Sequence, residues 1–220
     1  MSEKLVVALH TGFLTMDDSK KMFAEMLPGV KVISIGDDSL LSEVKESGGM
    51  TKNVIQKICT YGLSAELWGA DAIFSYCSSM GEAIDVARQV VKIPFVKIDE
   101  EMAELAAKIG GRVTVMATLE STFGPTIELL TKTARGMKSK AQFTRCFVDH
   151  AFNALSKEKD RAKHNLILAE AIRKAAAESD AIVLAQSSMA IVLPEIKDLE
   201  VPVLASPQTG ALRLKRILGL

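Results

Sequence analysis

Asp71-Ala72-Ile73-Phe74-Ser75-Tyr76-Cys77-Ser78-Ser79-Met80 has a second copy in the same chain. Asp180-Ala181-Ile182-Val183-Leu184-Ala185-Gln186-Ser187-Ser188-Met189 lies 109 residues later, and six of the ten positions are identical. Each copy reads as an acidic junction, a short apolar strand and a serine loop. The match extends outward. Ile93-Pro94-Phe95-Val96 pairs with Val201-Pro202-Val203-Leu204, and residues 4–9 pair with 112–117 at an offset of 108. Asp38-Ser39-Leu40-Leu41 resembles Asp149-His150-Ala151-Phe152 at an offset of 111. Nearly one spacing across four segments predicts two tandem halves of roughly 110 residues each.

Within each half, short apolar runs alternate with longer amphipathic ones. Strands are predicted at 4–9, 31–35, 72–76, 95–98, 112–117, 142–148, 181–185 and 202–205. Several are unbroken Val/Ile/Leu runs, as in parallel strands buried on both faces. Helices are predicted at 51–68, 82–91, 100–109, 126–133 and 159–178. Val54, Ile55, Ile58 and Leu63 share a face of the first of these. Asp38 and Asp149 read as caps of the helices after them. Trp68 reads as a packing residue at a helix end, and His164 as a solvated helix residue. Alternating strands and helices make the class α/β.

The 220 residues carry 27 Lys+Arg and 27 Asp+Glu, so the formal charge is zero. That balance argues against nucleic acid or an anionic membrane as the main partner. Aromatics are 5%, too few for a base-stacking platform. No segment reaches the roughly 18 apolar residues of a membrane span, and the run 5–9 is too short for a signal segment. Cys59, Cys77 and Cys146 are odd in number and widely spaced. They form no disulfide framework and no CxxC pair, which suits a reducing cytoplasm. No nucleotide loop, nucleophile elbow or metal-ligand spacing occurs, so no cofactor or metal is expected.

Ligands of open parallel sheets bind beyond the C-terminal strand ends. Cys77-Ser78-Ser79, Gln186-Ser187-Ser188, His10-Thr11 and Thr118 all fall there. Cys77 is the reactive candidate. Ser79-Met80-Gly81-Glu82 has capping-box spacing, which predicts a helix opening just after the thiol. Backbone N–H groups at a helix start favour thiolate and attract a carboxylate. A buried loop cysteine flanked by capping serines is the bland alternative. Cys59 and Cys146 read as packing residues, and His150 as a loop residue. His10 suits either a pocket role or a local hydrogen bond.

The chain resembles the aspartate/glutamate racemase superfamily, which includes hydantoin racemase, maleate isomerase and arylmalonate decarboxylase. Tyr76-Cys77-Ser78-Ser79 resembles its first cysteine loop. Val115-Met116-Ala117-Thr118-Leu119-Glu120-Ser121-Thr122 resembles its threonine-rich loop, and Leu184-Ala185-Gln186-Ser187-Ser188-Met189-Ala190 its second cysteine loop. The resemblance implies two flavodoxin-like lobes with parallel sheets, related by a pseudo-twofold axis, with the active site in the cleft between them. The lobes are expected at 1–98 plus 206–220 and at 99–205. It also implies a homo-oligomer.

In the family's racemases two cysteines flank the substrate's α-carbon. One thiolate removes its proton, and the opposite thiol returns one. Here Cys77 holds the first place and Gln186 the second. Gln cannot serve as acid or base near neutral pH. The resemblance therefore implies a cofactor-independent, racemase-like isomerase with one thiol, acting beside the carboxylate of a small acid or amino acid. Cys77 and Gln186 take the catalytic positions. His10, Thr11, Ser78, Ser79, Thr118, Ser121, Thr122, Ser187 and Ser188 take the substrate-binding ones. The alternatives are a one-base decarboxylase or isomerase, a degenerate small-acid binding protein, and a racemase with His10 as its second base.

Overall fold

The computed structural model describes residues 3–12 and 16–220. The chain divides into two compact units, Met1–Glu100 with Pro207–Leu220, and Glu101–Ser206. The first unit holds strands β1 (Leu5–His10), β2 (Lys31–Gly36), β3 (Ala72–Ser75) and β4 (Phe95–Lys97). They form a parallel sheet in the order β2-β1-β3-β4. Its helices are α1 (Met16–Met26), α2 (Ser39–Ser47), α3 (Lys52–Leu67) and α4 (Gly81–Ala87).

The period of two along a strand explains the layering. Val7, Leu9, Ile73 and Phe95 point into a core shared with Leu40 of α2, Val54 and Ile58 of α3, and Ile84 of α4. Val6, Ala8, Phe74 and Val96 point into the opposite core with Phe23 of α1. Both faces of the central strands are thus covered, which is why they read as continuous apolar runs.

The second unit begins within α5 (Glu100–Ile109) and repeats the plan. It holds β5 (Arg112–Ala117), α6 (Phe123–Gly136), β6 (Gln142–Phe147), α7 (Ala151–Ser156), α8 (Arg161–Ala176), β7 (Ala181–Leu184) and β8 (Val203–Ala205), with sheet order β6-β5-β7-β8. Val113, Val115 and Val183 pack with Met102 of α5 and Phe123 and Leu130 of α6. Met116, Ile182 and Leu184 pack with Leu168 and Ile172 of α8. The last helix, α9 (Ser206–Leu218), sends Ala211 and Leu214 back into the first unit's core. A Cβ on Gly210 of α9 would lie 2.6 Å from the Ile98 carbonyl oxygen, so only glycine permits that approach.

The repeated aspartate has one job in both units. Asp71 Oδ2 accepts from the Leu5 N–H at 2.8 Å, and Asp180 Oδ2 from the Arg112 N–H at 2.7 Å. Their own N–H groups bond back to the Leu5 and Arg112 carbonyls, each at 2.8 Å. The repeat therefore pins the start of the third strand to the start of the first.

All eight predicted strands are present. Several helical details differ from the sequence reading, and the helix expected at 82–91 ends at Ala87. Asp38 stands at the N-cap of α2 but its side chain caps nothing; Asp37 accepts from the Ser39 N–H and hydroxyl and from the Tyr61 hydroxyl. His150, at φ 65°, takes the N-cap place of α7, one residue beyond Asp149. Trp68 and Leu63 are half exposed, because Val54, Ile58, Gly62 and Ala65 form the buried stripe of α3. His164 is buried, with Nδ1 3.1 Å from Asn165 Oδ1. After Gln186 the chain runs as a 3-10 helix, Ser187–Ile196, whose Pro194 has no N–H for an α ladder. No described helix is long and apolar enough to cross a membrane.

Candidate functional site

In the first unit, parallel pairing of β1 with β3 sets Leu9 beside Ser75. The residues after them, His10-Thr11 and Tyr76-Cys77, therefore leave the sheet at the same edge. Cys77 is extended (φ −136°, ψ 116°) and heads a single 3-10 turn, Ser78–Met80, closed by the Met80 N–H on the Cys77 carbonyl at 3.3 Å. Ser79 lies inside that turn, so the expected capping box does not form. The α-helix starts only at Gly81, and its N-cap residue, Met80, makes no side-chain cap. Cys77 is half-buried against the first core, while Ser78 and Ser79 are exposed.

Gln186 has the same backbone in the second unit: φ −124°, ψ 135°, heading a 3-10 turn closed by the Met189 N–H on its carbonyl at 3.0 Å. Only the side chain differs. Gln186 Oε1 accepts from the Thr118 N–H at 2.7 Å, the Thr118 hydroxyl at 3.0 Å and the Leu119 N–H at 3.2 Å. Two of these partners are backbone donors, so the amide's orientation is fixed, with the oxygen and not the NH2 facing them. Thr122 closes its own turn by donating to the Leu119 carbonyl at 2.7 Å, and Ser121 is exposed in that turn. Ser187 is half-buried and Ser188 exposed.

His10 is fully buried, with Nε2 3.3 Å from the Ser19 hydroxyl and its ring centroid 5.3 Å from that of Tyr76. Burial, and then the charge of Lys20, lowers its pKa to about 4. It is neutral imidazole at neutral pH. Thr11 is buried beside it.

The sequence matches the Asp/Glu/Hydantoin racemase family over residues 23–214. The chain belongs to that family. Solved structures of similar fold include the aspartate racemase of Picrophilus torridus, at 17% identity and a TM-score of 0.72, covering 98% of this chain and 94% of that one. The allantoin racemase of Klebsiella pneumoniae follows at 18% and 0.72, covering 98% and 88%. A Gly74Cys mutant of arylmalonate decarboxylase, in a sulfate-associated form, gives 18% and 0.64, covering 98% and 93%. Comparison with curated protein sequences gives no match.

In this racemase-family chain one polar residue at the strand ends escaped the sequence reading. Asp99, just past β4, is buried at 6% exposed. Burial raises its pKa above the usual carboxylate range, and the nearby Lys97 charge acts the other way. A single acid following an apolar run looks like a helix cap, so no sequence signal singled it out. The remaining cysteines pack: Cys59 against the first core and Cys146 against the second unit's, where burial raises the Cys146 thiol pKa. His150 is exposed and pairs with Asp149 at 3.1 Å. Among the described residues no three His, Cys, Asp or Glu side chains are grouped as a metal site would need.

Proposed function

We propose that the protein is a single-thiol, cofactor-independent member of the racemase superfamily. It moves a proton on and off the carbon beside the carboxylate of a small acid or amino acid. The observation that carries this reading is Gln186, which stands where the internal repeat has Cys77 and whose amide oxygen three donors hold. An amide neither gives nor takes a proton near neutral pH. Cys77 is then the one acid–base group. As thiolate it takes the α-proton, the C–H electron pair passes into the carboxylate, and the thiol returns a proton to the same face. His10 is a poor second base, because its pKa of about 4 makes it a weak proton acceptor at neutral pH.

One thiol on one face predicts exchange without inversion. In D2O, the α-proton of one enantiomer of a substrate amino acid exchanges for deuterium faster than the enantiomers interconvert. Cys77→Ala abolishes the exchange while leaving the far-UV circular dichroism unchanged. Full exchange in Cys77→Ala would falsify the assignment. The same single thiol favours a second reading, a decarboxylase. Loss of CO2 leaves the electron pair on carbon, one proton then has to be delivered, and no second acid is required. Stereospecific deuteration of the product from a malonate-type acid distinguishes it. The reading also expects a cytoplasmic homo-oligomer, checked by light scattering on the purified chain.

A further inference from the structure

Helix α3 carries apolar residues on two faces. Val54, Ile58, Gly62 and Ala65 fill the stripe that meets the first core. The outward row is polar at its start, with Asn53, Gln56 and Thr60, and apolar at its end, with Leu63 and Leu67. A spacing of four stacks those two leucines one above the other. Leu67 is 88% exposed, more than any other large apolar side chain among the described residues, and Leu63 is 44% exposed. Trp68, the C-cap, follows at 49%.

The turn after α4 extends this face. A Cβ on Gly62 would lie 2.5 Å from Val91 Cγ2, so glycine lets the two segments touch there. Leu63 and Val90 are the next residues on either side of that contact, and Val90 is 53% exposed. The Glu66 carboxylate accepts from the Lys92 and Ile93 N–H groups and ties the same two segments together. Four exposed apolar side chains therefore border one seam. It lies at the end of α4 remote from Cys77, since α4 begins just after the Cys77 turn.

At these exposures the four side chains offer on the order of 400 Å2 of apolar surface, a size that marks an interaction surface on a single chain. A standard protein interface buries about 800 Å2 per partner, a little over half of it apolar. The patch supplies nearly the whole apolar share of one such interface. Its surroundings carry both signs. Glu82 and Lys92 are exposed, and neither side chain has a partner among the described residues. The formal charge of the chain is zero. An anionic membrane or a strongly charged protein would select a rim of one sign. A second copy brings an opposite charge for each of these and no net repulsion.

We propose that Leu63, Leu67, Trp68 and Val90 form a two-fold interface with a second copy of this chain. This rests on the expectation of a homo-oligomer and names the surface that makes it. Pairing there leaves the Cys77 turn uncovered.

The test is sedimentation velocity of the full-length protein across the micromolar range, with Trp68 fluorescence read on the same samples. Wild type sediments as a dimer. Trp68 is the only tryptophan, so its emission shifts to the red as dilution separates the copies. Leu67→Asp places a charge on both sides of an isologous contact, and raises the dissociation constant at least about 100-fold. Its exposure leaves the fold intact, which unchanged far-UV circular dichroism confirms. Leu166→Asp, at a leucine 61% exposed on α8 of the second unit, stays dimeric. An assembly that survives Leu67→Asp, or that Leu166→Asp dissolves in its place, overturns the surface and leaves the homo-oligomer standing. Emission that stays constant while the mass halves places the contact elsewhere and overturns it too. A monomeric wild type throughout the range overturns both surface and oligomer. Each of these results leaves the exchange prediction for Cys77 as it stands.

Discussion

Replacing Gln186 by Ala removes the acceptor from three donors at once. Two belong to Thr118, which is 5% exposed, at 2.7 and 3.0 Å. The third, the Leu119 N–H at 3.2 Å, is half-buried, and water reaches it more easily. A net hydrogen bond is worth about 1 kcal/mol, and a buried donor left unpaired costs more. Counting the two inner bonds and letting water satisfy the outer one, the loss is about 2 kcal/mol. For a chain of this size that lowers the melting temperature by about 4–8 °C. The assay is thermal unfolding followed by far-UV circular dichroism at neutral pH, with no added acid that binds the loops. Gln186→Glu is the control, since a carboxylate oxygen accepts from the same three donors and should melt well above Gln186→Ala. An alanine variant melting within about 1 °C of wild type would refute the view that Gln186 ties the two loops of its unit together.

Three further outcomes follow from the structure. His10 stays neutral until the pH falls to about 4, because burial and Lys20 disfavour its charged form. Its depressed value contributes stability that is complete above the unfolded value of about 6.5 and lost as pH falls to about 4; a ring-proton NMR titration with a midpoint near 6.5 would contradict this. The Asp71 carboxyl is held below its ordinary value by Lys4 at 2.7 Å and by the Leu5 N–H. Its contribution is present above the unfolded value of about 3.9 and lost on further acidification, so the stability gap between wild type and Asp71→Asn in urea should close at low pH. Gly111, at φ 64°, would place a Cβ against the Asp180 carboxylate, 2.9 Å from its Cγ, whereas Gly110, at φ 70°, faces open space. Gly111→Ala should therefore cost about 1–3 kcal/mol and distinctly more than Gly110→Ala, as read from denaturant midpoints.

The repeat made most of the fold legible. Asp71 and Asp180 are polar residues at strand starts, and polar junctions with unbroken apolar runs survive as pattern in the sequence. The Cys77 and Gln186 loops were legible for the same reason, since both sit at a fixed step beyond those aspartates. Helix beginnings were less legible because several residues in a row compete for each cap. Asp37 and Asp38 differ by one position, and tertiary reach to Tyr61 selects Asp37. His164 looked solvated because its neighbours on α8 are charged, but it lies on the stripe that contains Leu168 and Ile172. Asp99 was invisible because its burial comes from tertiary packing, which a lone acid after an apolar run does not reveal.

The second unit's loop contains a device that fixes which groups it can offer. In the second unit the amide oxygen of Gln186 takes the Thr118 proton. That hydroxyl is not free to grip a carboxylate unless Gln186 moves. Among the described residues no partner takes the hydroxyls of Ser79, Ser187 and Ser188 or the NH2 of Gln186. In the second unit's loop the hydroxyls of Ser187 and Ser188 and the NH2 of Gln186 are thus the groups left to offer. The Gln186 amide suits the task, because three donors fix its oxygen and leave both its N–H bonds pointing away from the clamp. A cysteine at that position would bring a thiol in place of two oriented N–H groups. The exchange of Cys for Gln between the repeats therefore removes one thiol and adds a fixed pair of donors to the second unit's loop.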